Sequence, residues 1–339
     1  MTPADLTGEP YPLDAPGLAE AQENVPALEL ALMERRIGDG AGVDPRPLDE
    51  LEAQARGPLN AARIQADDGA KLAMLPGLIV ELQAYGRDER ALRVLSEVCA
   101  EATYALRNVG QVALAWIAAE RCAEAAAIVG DPVLVAASEF TRAHSRPHSR
   151  SGMARAAEAA DRMPAQILAT GERAQEVYGM LRLTAALAAQ VRGDTAETGT
   201  QAAEAARIAK AHGERRNAWE AWEYFGPANV GVWRTTLAVE AGEPAKALDY
   251  AAGCEVRALP PGRRAALLLD TARAHHLLGR AHHRQAVIAL RQAEQLASVR
   301  MRASPWAREL VEVMLTQSKR ESGGRELRAL AYRMGLEAS

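Results

Sequence analysis

The chain has 339 residues, 48% hydrophobic but only 4% aromatic, with a formal net charge of −4. Its length exceeds one typical compact core, so two domains or an elongated array are expected. The acidic balance argues against a general duplex-binding surface, and the lack of a signal peptide or a run of 18 apolar residues predicts a soluble, cytoplasmic protein without a membrane span.

Alanine and leucine supply most of the apolar content, while β-branched and aromatic strand formers are scarce, which points to an all-α chain. The cysteines Cys99, Cys122 and Cys254 are odd in number, far apart and in helix-like segments. They read as small buried residues in a reducing compartment.

Residues 1–44 are expected to be a poorly ordered or partly helical lead-in. Pro3, Pro10, Pro12, Pro16 and Pro26 interrupt its first part, a short helix is predicted from about Ala27 to Ile37, and Gly38 to Gly42 with Pro45 and Pro47 breaks the chain again. From Leu48 onward helices follow one another as one domain over 45–339, with a subdivision near 145–170 left open. Asp194 and Ser304 stand where N-caps belong, and Gly130, Gly193, Gly213, Gly242 and Gly279 where helices should end.

The punctuation repeats. Gly86, Gly110 and Gly242 are each followed five residues later by an alanine, Ala91, Ala115 and Ala247; Gly193 with Thr198, and Gly279 with Ala286, are near matches. This is the tight turn of a helical hairpin whose small residue lets the second helix cross closely over the first. Such a hairpin cannot bury its apolar face alone, so stacking is required. The pattern resembles tetratricopeptide (TPR) repeats, without most of that family's tryptophans and prolines and with longer spacing. It implies a TPR-like α-solenoid: a right-handed stack of antiparallel helical hairpins.

A closer resemblance is carried by Tyr224-Phe-Gly-Pro-Ala-Asn-Val-Gly-Val-Trp-Arg through Leu248, by Leu259-Pro-Pro-Gly-Arg-Arg, by Leu269-Asp-Thr-Ala-Arg-Ala-His with Leu277-Leu-Gly-Arg, and by the close at 327–335. These stretches are similar to the TPR-type sensor region of actinobacterial helix-turn-helix (XRE-like) transcriptional regulators. The similarity runs from about residue 45 to the end and is most specific over 217–336. It implies a regulatory or sensing role, near secondary metabolism. Those regulators usually begin with a DNA-reading domain of roughly 70 residues, whereas the 44 residues here are proline-rich and acidic. The expectation is therefore a sensor region without its own DNA-binding domain and with no direct nucleic-acid binding.

Trp219, Trp222, Tyr224, Phe225 and Trp233 crowd into fifteen residues of a chain poor in aromatics. One reading is an aromatic-walled pocket on the concave face, with Asn229 and Arg234 at its rim; the other is packing that fills an irregular hairpin at Gly226-Pro227. Tyr178 with Arg182, Arg107-Asn108 and Trp116 are further candidates for the same groove, an arginine there suiting a carboxylate or phosphate. The ligand expected is a small molecule or peptide in the concave groove.

Other features carry less. His275-His276 and His282-His283 lack the convergent third and fourth ligands a metal needs, so no metal or cofactor is expected. The Arg/His-rich stretch 142–155 reads as a long solvated hairpin loop. Arg320, Arg325, Arg328 and Arg333, with Lys319, mark a candidate partner or homodimer surface. Glu220 and Glu223 share a helical face, but no catalytic motif accompanies them. The alternatives to a sensor are an enzyme or chaperone-like helper on the same scaffold, or a protein–protein scaffold.

Overall fold

The computed structural model describes residues 17–34, 36–39, 42–146, 150–163, 165, 168, 171–213, 222–318 and 324–336. These residues are helical throughout, with no strand. The helices are α1 Leu18–Gln22, α2 Val25–Met33, α3 Leu48–Gln54, α4 Asn60–Gln65, α5 Asp68–Ala84, α6 Glu89–Asn108, α7 Val112–Val129, α8 Pro132–Ser145 and α9 Arg150–Asp161, followed by α10 Glu172–Val191, α11 Thr195–His212, α12 Pro227–Glu240, α13 Pro244–Ala252, α14 Pro261–Leu277, α15 His283–Leu296, α16 Ser298–Ala303, α17 Pro305–Ser318 and α18 Arg325–Arg333. A π-helical turn, Ala55–Leu59, joins α3 to α4.

Local chemistry sets the boundaries. Asp194 accepts from the Glu197 amide and Ser304 from that of Ala307. Asp67, Asp88 and Asp131 cap α5, α6 and α8 in the same way, each satisfying an amide that the first helical turn leaves open. At the repeated turns Gly110 and Gly242 have φ of 86° and 71°, a region where a β-carbon is strained. The small residues that follow are buried where the hairpins cross: Ala91, Ala115, Ala247 and Ala286 are at most 1% exposed.

The hairpins form two layers. Helices α6, α8, α10, α12 and α14 each touch the next in an inner row, and the alternate helices pack behind them. The row does not stay open. α14 reaches α4, and α16 packs on α1 and α6, so the last part of the chain meets the first. Each side contributes to the other's core: Ala303 is buried in the N-terminal apolar cluster and Ala66 in the C-terminal one. The meeting of the two ends bounds the groove expected from the repeats on one side.

Within the described part of the lead-in, Leu18, Leu28 and Leu32 of α1 and α2 are fully buried with Leu72, Leu75 and Ile79 of α5. One further expectation changes. The 142–155 stretch is not a long loop; it holds the end of α8 and the start of α9. Two of its charges are spent internally, Arg142 on Glu120 and Glu139 and Arg155 on Glu139. Cys99 and Cys122 are buried thiols, and Cys254 is half-buried. Among the described residues no helix is long and apolar enough to cross a membrane.

Candidate functional site

The closed inner row surrounds a cavity of about 430 Å³. Its wall comes from α4 (Arg63), α5 (Lys71), α6 (Glu101, Tyr104, Arg107, Asn108), α8 (Phe140, His144), α10 (Met180, Leu187), α12 (Trp233, Thr236, Glu240), α14 (Arg263, Leu269, Asp270, Arg273) and α16 (Arg300, Met301). The second layer supplies only Met153 of α9. Seven basic and four acidic side chains line the cavity, although the chain as a whole is acidic.

At one end the charges are satisfied by one another. Asp68, fully buried behind the wall, accepts from Arg300 at 2.7 and 3.2 Å, and the Asn108 amide approaches both its oxygens at 3.2 Å. Lys71 lies 3.0 Å from Asp68 and 3.3 Å from Glu101. Burial opposes ionisation of Asp68, but Arg300 and Lys71 outweigh it and hold its pKa at about 2. At the other end Asp270 accepts from Thr236 at 2.6 Å and from Arg273 at 3.0 Å, while Arg273 also reaches Glu240 at 2.8 Å.

Between these ends Arg107 and Arg263 hydrogen-bond only to neutral oxygens. Arg107 donates to the His144 carbonyl at 2.8 Å and to Asn108 Oδ1 at 3.2 Å. Arg263 Nε donates to Asn229 Oδ1 at 2.8 Å. Among the described residues neither has a carboxylate within ion-pair distance. Burial pushes the Arg263 pKa down to about 10 against the opposing pull of Glu223 and Asp270, with Arg107 adding to the fall. Burial, then Arg107 and Arg263, push His144 down to about 3, so its ring is neutral at physiological pH. That ring meets Thr184 Oγ1 at 3.0 Å and lies edge-on to Trp233.

The segment before α12 is strained where it enters the cavity. Glu223 and Tyr224 have φ of 50° and 59°, a left-handed pair that non-glycine residues rarely adopt. Tyr224 lies under the Arg63 guanidinium, 4.5 Å from its ring centre, and donates to the Arg63 carbonyl. Burial raises the Glu223 pKa, and Glu101 adds to the rise. A second depression of about 420 Å³ lies beside the π-helical turn and shares Arg63, Glu101 and Glu223 with the cavity.

The aromatic segment divides on inspection. Tyr224 and Trp233 line the cavity. Phe225 is core, its ring laid against Gly179. Asn229 is 1% exposed and not at a rim: it donates to the Glu223 carbonyl at 3.0 Å and accepts from Arg263, so it positions both. Arg234 points away, over Tyr250 in a separate surface groove, because it follows Trp233 by one position and a helix turns about 100° per residue. Trp219 and the side chain of Trp222 lie outside the described residues.

The more distant candidates do not join the cavity. Arg182 pairs with Asp161 at 2.8 Å, bonds Gln201 and stacks on Tyr178, while Trp116 packs under Arg155. Arg107 and Asn108 do enter it. His275 and His282 meet at 3.2 Å despite the break at Gly279, yet no group of three or more metal-ligating residues exists among the described residues. Arg333 of the expected partner surface is committed to Glu294 at 2.7 Å; Lys319, Arg320 and Glu220 are outside the described residues.

Sequence reasoning passed over Arg63, Lys71, Glu101, Tyr104, Arg263 and Arg300. One signal was legible: Glu101, Tyr104 and Asn108 recur at helical spacing on a helix otherwise strongly amphipathic. No known family model, no characterised protein and no solved structure matches this chain.

Proposed function

We propose that this protein is a small-molecule-binding regulatory protein on a TPR-like α-solenoid, related to the sensor regions of helix-turn-helix regulators. The observation that carries this reading is the cavity itself, whose size suits a metabolite. Strain at Glu223 and Tyr224, and two arginines bonded only to neutral oxygens, are features that folding alone does not require. Ligand binding would bias the contact between the two ends of the chain, since α16 both lines the cavity and packs on α1 and α6.

Native mass spectra before and after exposure to a small-molecule extract of the source cells test this. A retained mass that is lost in Trp233→Ala supports the cavity as the sensor site. No retained mass at any growth stage counts against it and turns attention to a protein partner.

A second reading, an enzyme, is favoured by one observation: the buried Glu223 carboxyl, with its raised pKa, faces the cavity beside Tyr224. A bound mass released chemically altered by the protein, but unaltered by Glu223→Gln, would establish that reading in place of the sensor.

A further inference from the structure

We propose that the cavity's ligand is an organic anion, with its carboxylate or phosphate held by Arg107 and Arg263 and its flat apolar body against Trp233, Phe140 and Met180. This inference rests on the small-molecule reading and names the chemistry of its ligand.

The cavity's cations are balanced unequally. Lys71 and Arg300 have Asp68, and Arg273 has Asp270 and Glu240. Arg107, on α6, and Arg263, on α14, have only amide and carbonyl oxygens. Among the described residues no carboxylate pairs with either, although Glu223 bears on both from beyond ion-pair distance. Half-buried guanidinium groups that lack a direct ionic partner are poorly compensated, and both bear on His144. An anion arriving between them supplies a charge in direct contact.

The geometry suits a forked acceptor. Arg263 spends Nε on Asn229, leaving both terminal nitrogens for a second partner. Asn229 is itself fixed by its bond to the Glu223 carbonyl and its contact with Met180, so the fork is set before a ligand arrives. Guanidinium bonds to carboxylate or phosphate through two parallel N–H groups are among the strongest polar contacts available. The neighbouring wall is apolar: Phe140, Met180 and Trp233 are all buried side chains of the same cluster. Neutral His144 on that wall adds no competing cation.

The test uses three small probes at matched ionic strength: benzoate, phenyl phosphate and the neutral benzamide. Binding is read by calorimetry and by the rise in melting temperature of the full chain. At least one anion should bind about tenfold more tightly than benzamide, and Arg107→Met or Arg263→Met should remove that preference. Whichever of benzoate and phenyl phosphate binds more tightly identifies the head group. Arg263→Lys, which keeps the charge but not the fork, should retain part of the preference. Benzamide binding as well as both anions overturns the anion assignment and leaves a small-molecule cavity intact. If none of the three binds, the anion assignment falls, and the cavity reading is decided separately by whether native spectra retain any mass.

Discussion

Arg300 donates to both carboxylate oxygens of Asp68, at 2.7 and 3.2 Å, across 232 positions of the chain. The pair joins α16 to α5 and turns a row of hairpins into an enclosure. Lys71 shares the same carboxylate, so one buried acid neutralises two cations from opposite ends of the protein.

Removing that acid should open the closure. Asp68→Ala leaves Lys71 buried and Arg300 half-buried without their shared partner, and loss of one member of a buried pair costs about 3–5 kcal/mol. Urea titration followed by circular dichroism measures it. A loss below about 1 kcal/mol would mean that apolar contacts such as those of Ala66 and Ala303 hold the ends together without help from the charges.

His144 should make the fold acid-sensitive. Its folded pKa, about 3, lies below the ordinary 6.5, so between these values the unfolded chain binds a proton that the folded chain does not. Stability therefore falls as pH falls through that window, by up to about 1.4 kcal/mol per pH unit. Asp68, with its pKa depressed from 3.8 to about 2, continues the loss below pH 3.8. Denaturation midpoints at pH 7, 6 and 5 should fall progressively for the parent and stay more nearly level for His144→Gln; an equal slope in both would assign the effect to other groups.

Gly179 is a position of close approach without unusual backbone. A methyl group there would overlap the Phe225 ring. Gly179→Ala should cost about 1–3 kcal/mol by overpacking. Because Phe225 follows Tyr224 directly, the displaced ring should also loosen the strained turn and weaken any ligand the native spectra retain. Unchanged thermal unfolding would show that α10 and the turn yield without cost.

Trp233 and Arg234 are adjacent in sequence and separate in role. Trp233→Ala should abolish ligand retention and destabilise by about 3–5 kcal/mol. Arg234→Ala should leave retention intact and stability within about 0.5 kcal/mol. Loss of retention in the arginine variant alone would move the binding site to the surface groove beside Tyr250.

Much of the scaffold was legible along the chain because its causes are local. A glycine that ends a helix, an aspartate that begins one and an alanine five residues past the turn act within a few positions of themselves. Ala91, Ala115, Ala247 and Ala286 are accordingly buried as their spacing predicts. The aromatic segment was legible as unusual but not as divided. Whether Phe225 fills core while Tyr224 enters a cavity depends on two left-handed residues that no composition announces.

The sequence by itself determined an all-helical chain of hairpins, the turns that separate them, and the neighbourhood in which to look for a site. Only the tertiary structure decided that the array closes, that Asp68 meets Arg300, that Arg107 and Arg263 share a wall, and that Arg234, Arg182 and Trp116 do not. The physical reason is separation. Closure depends on small rotations accumulated from one hairpin to the next, and each cavity charge finds its partner, or lacks one, across distances along the chain that carry no local signal.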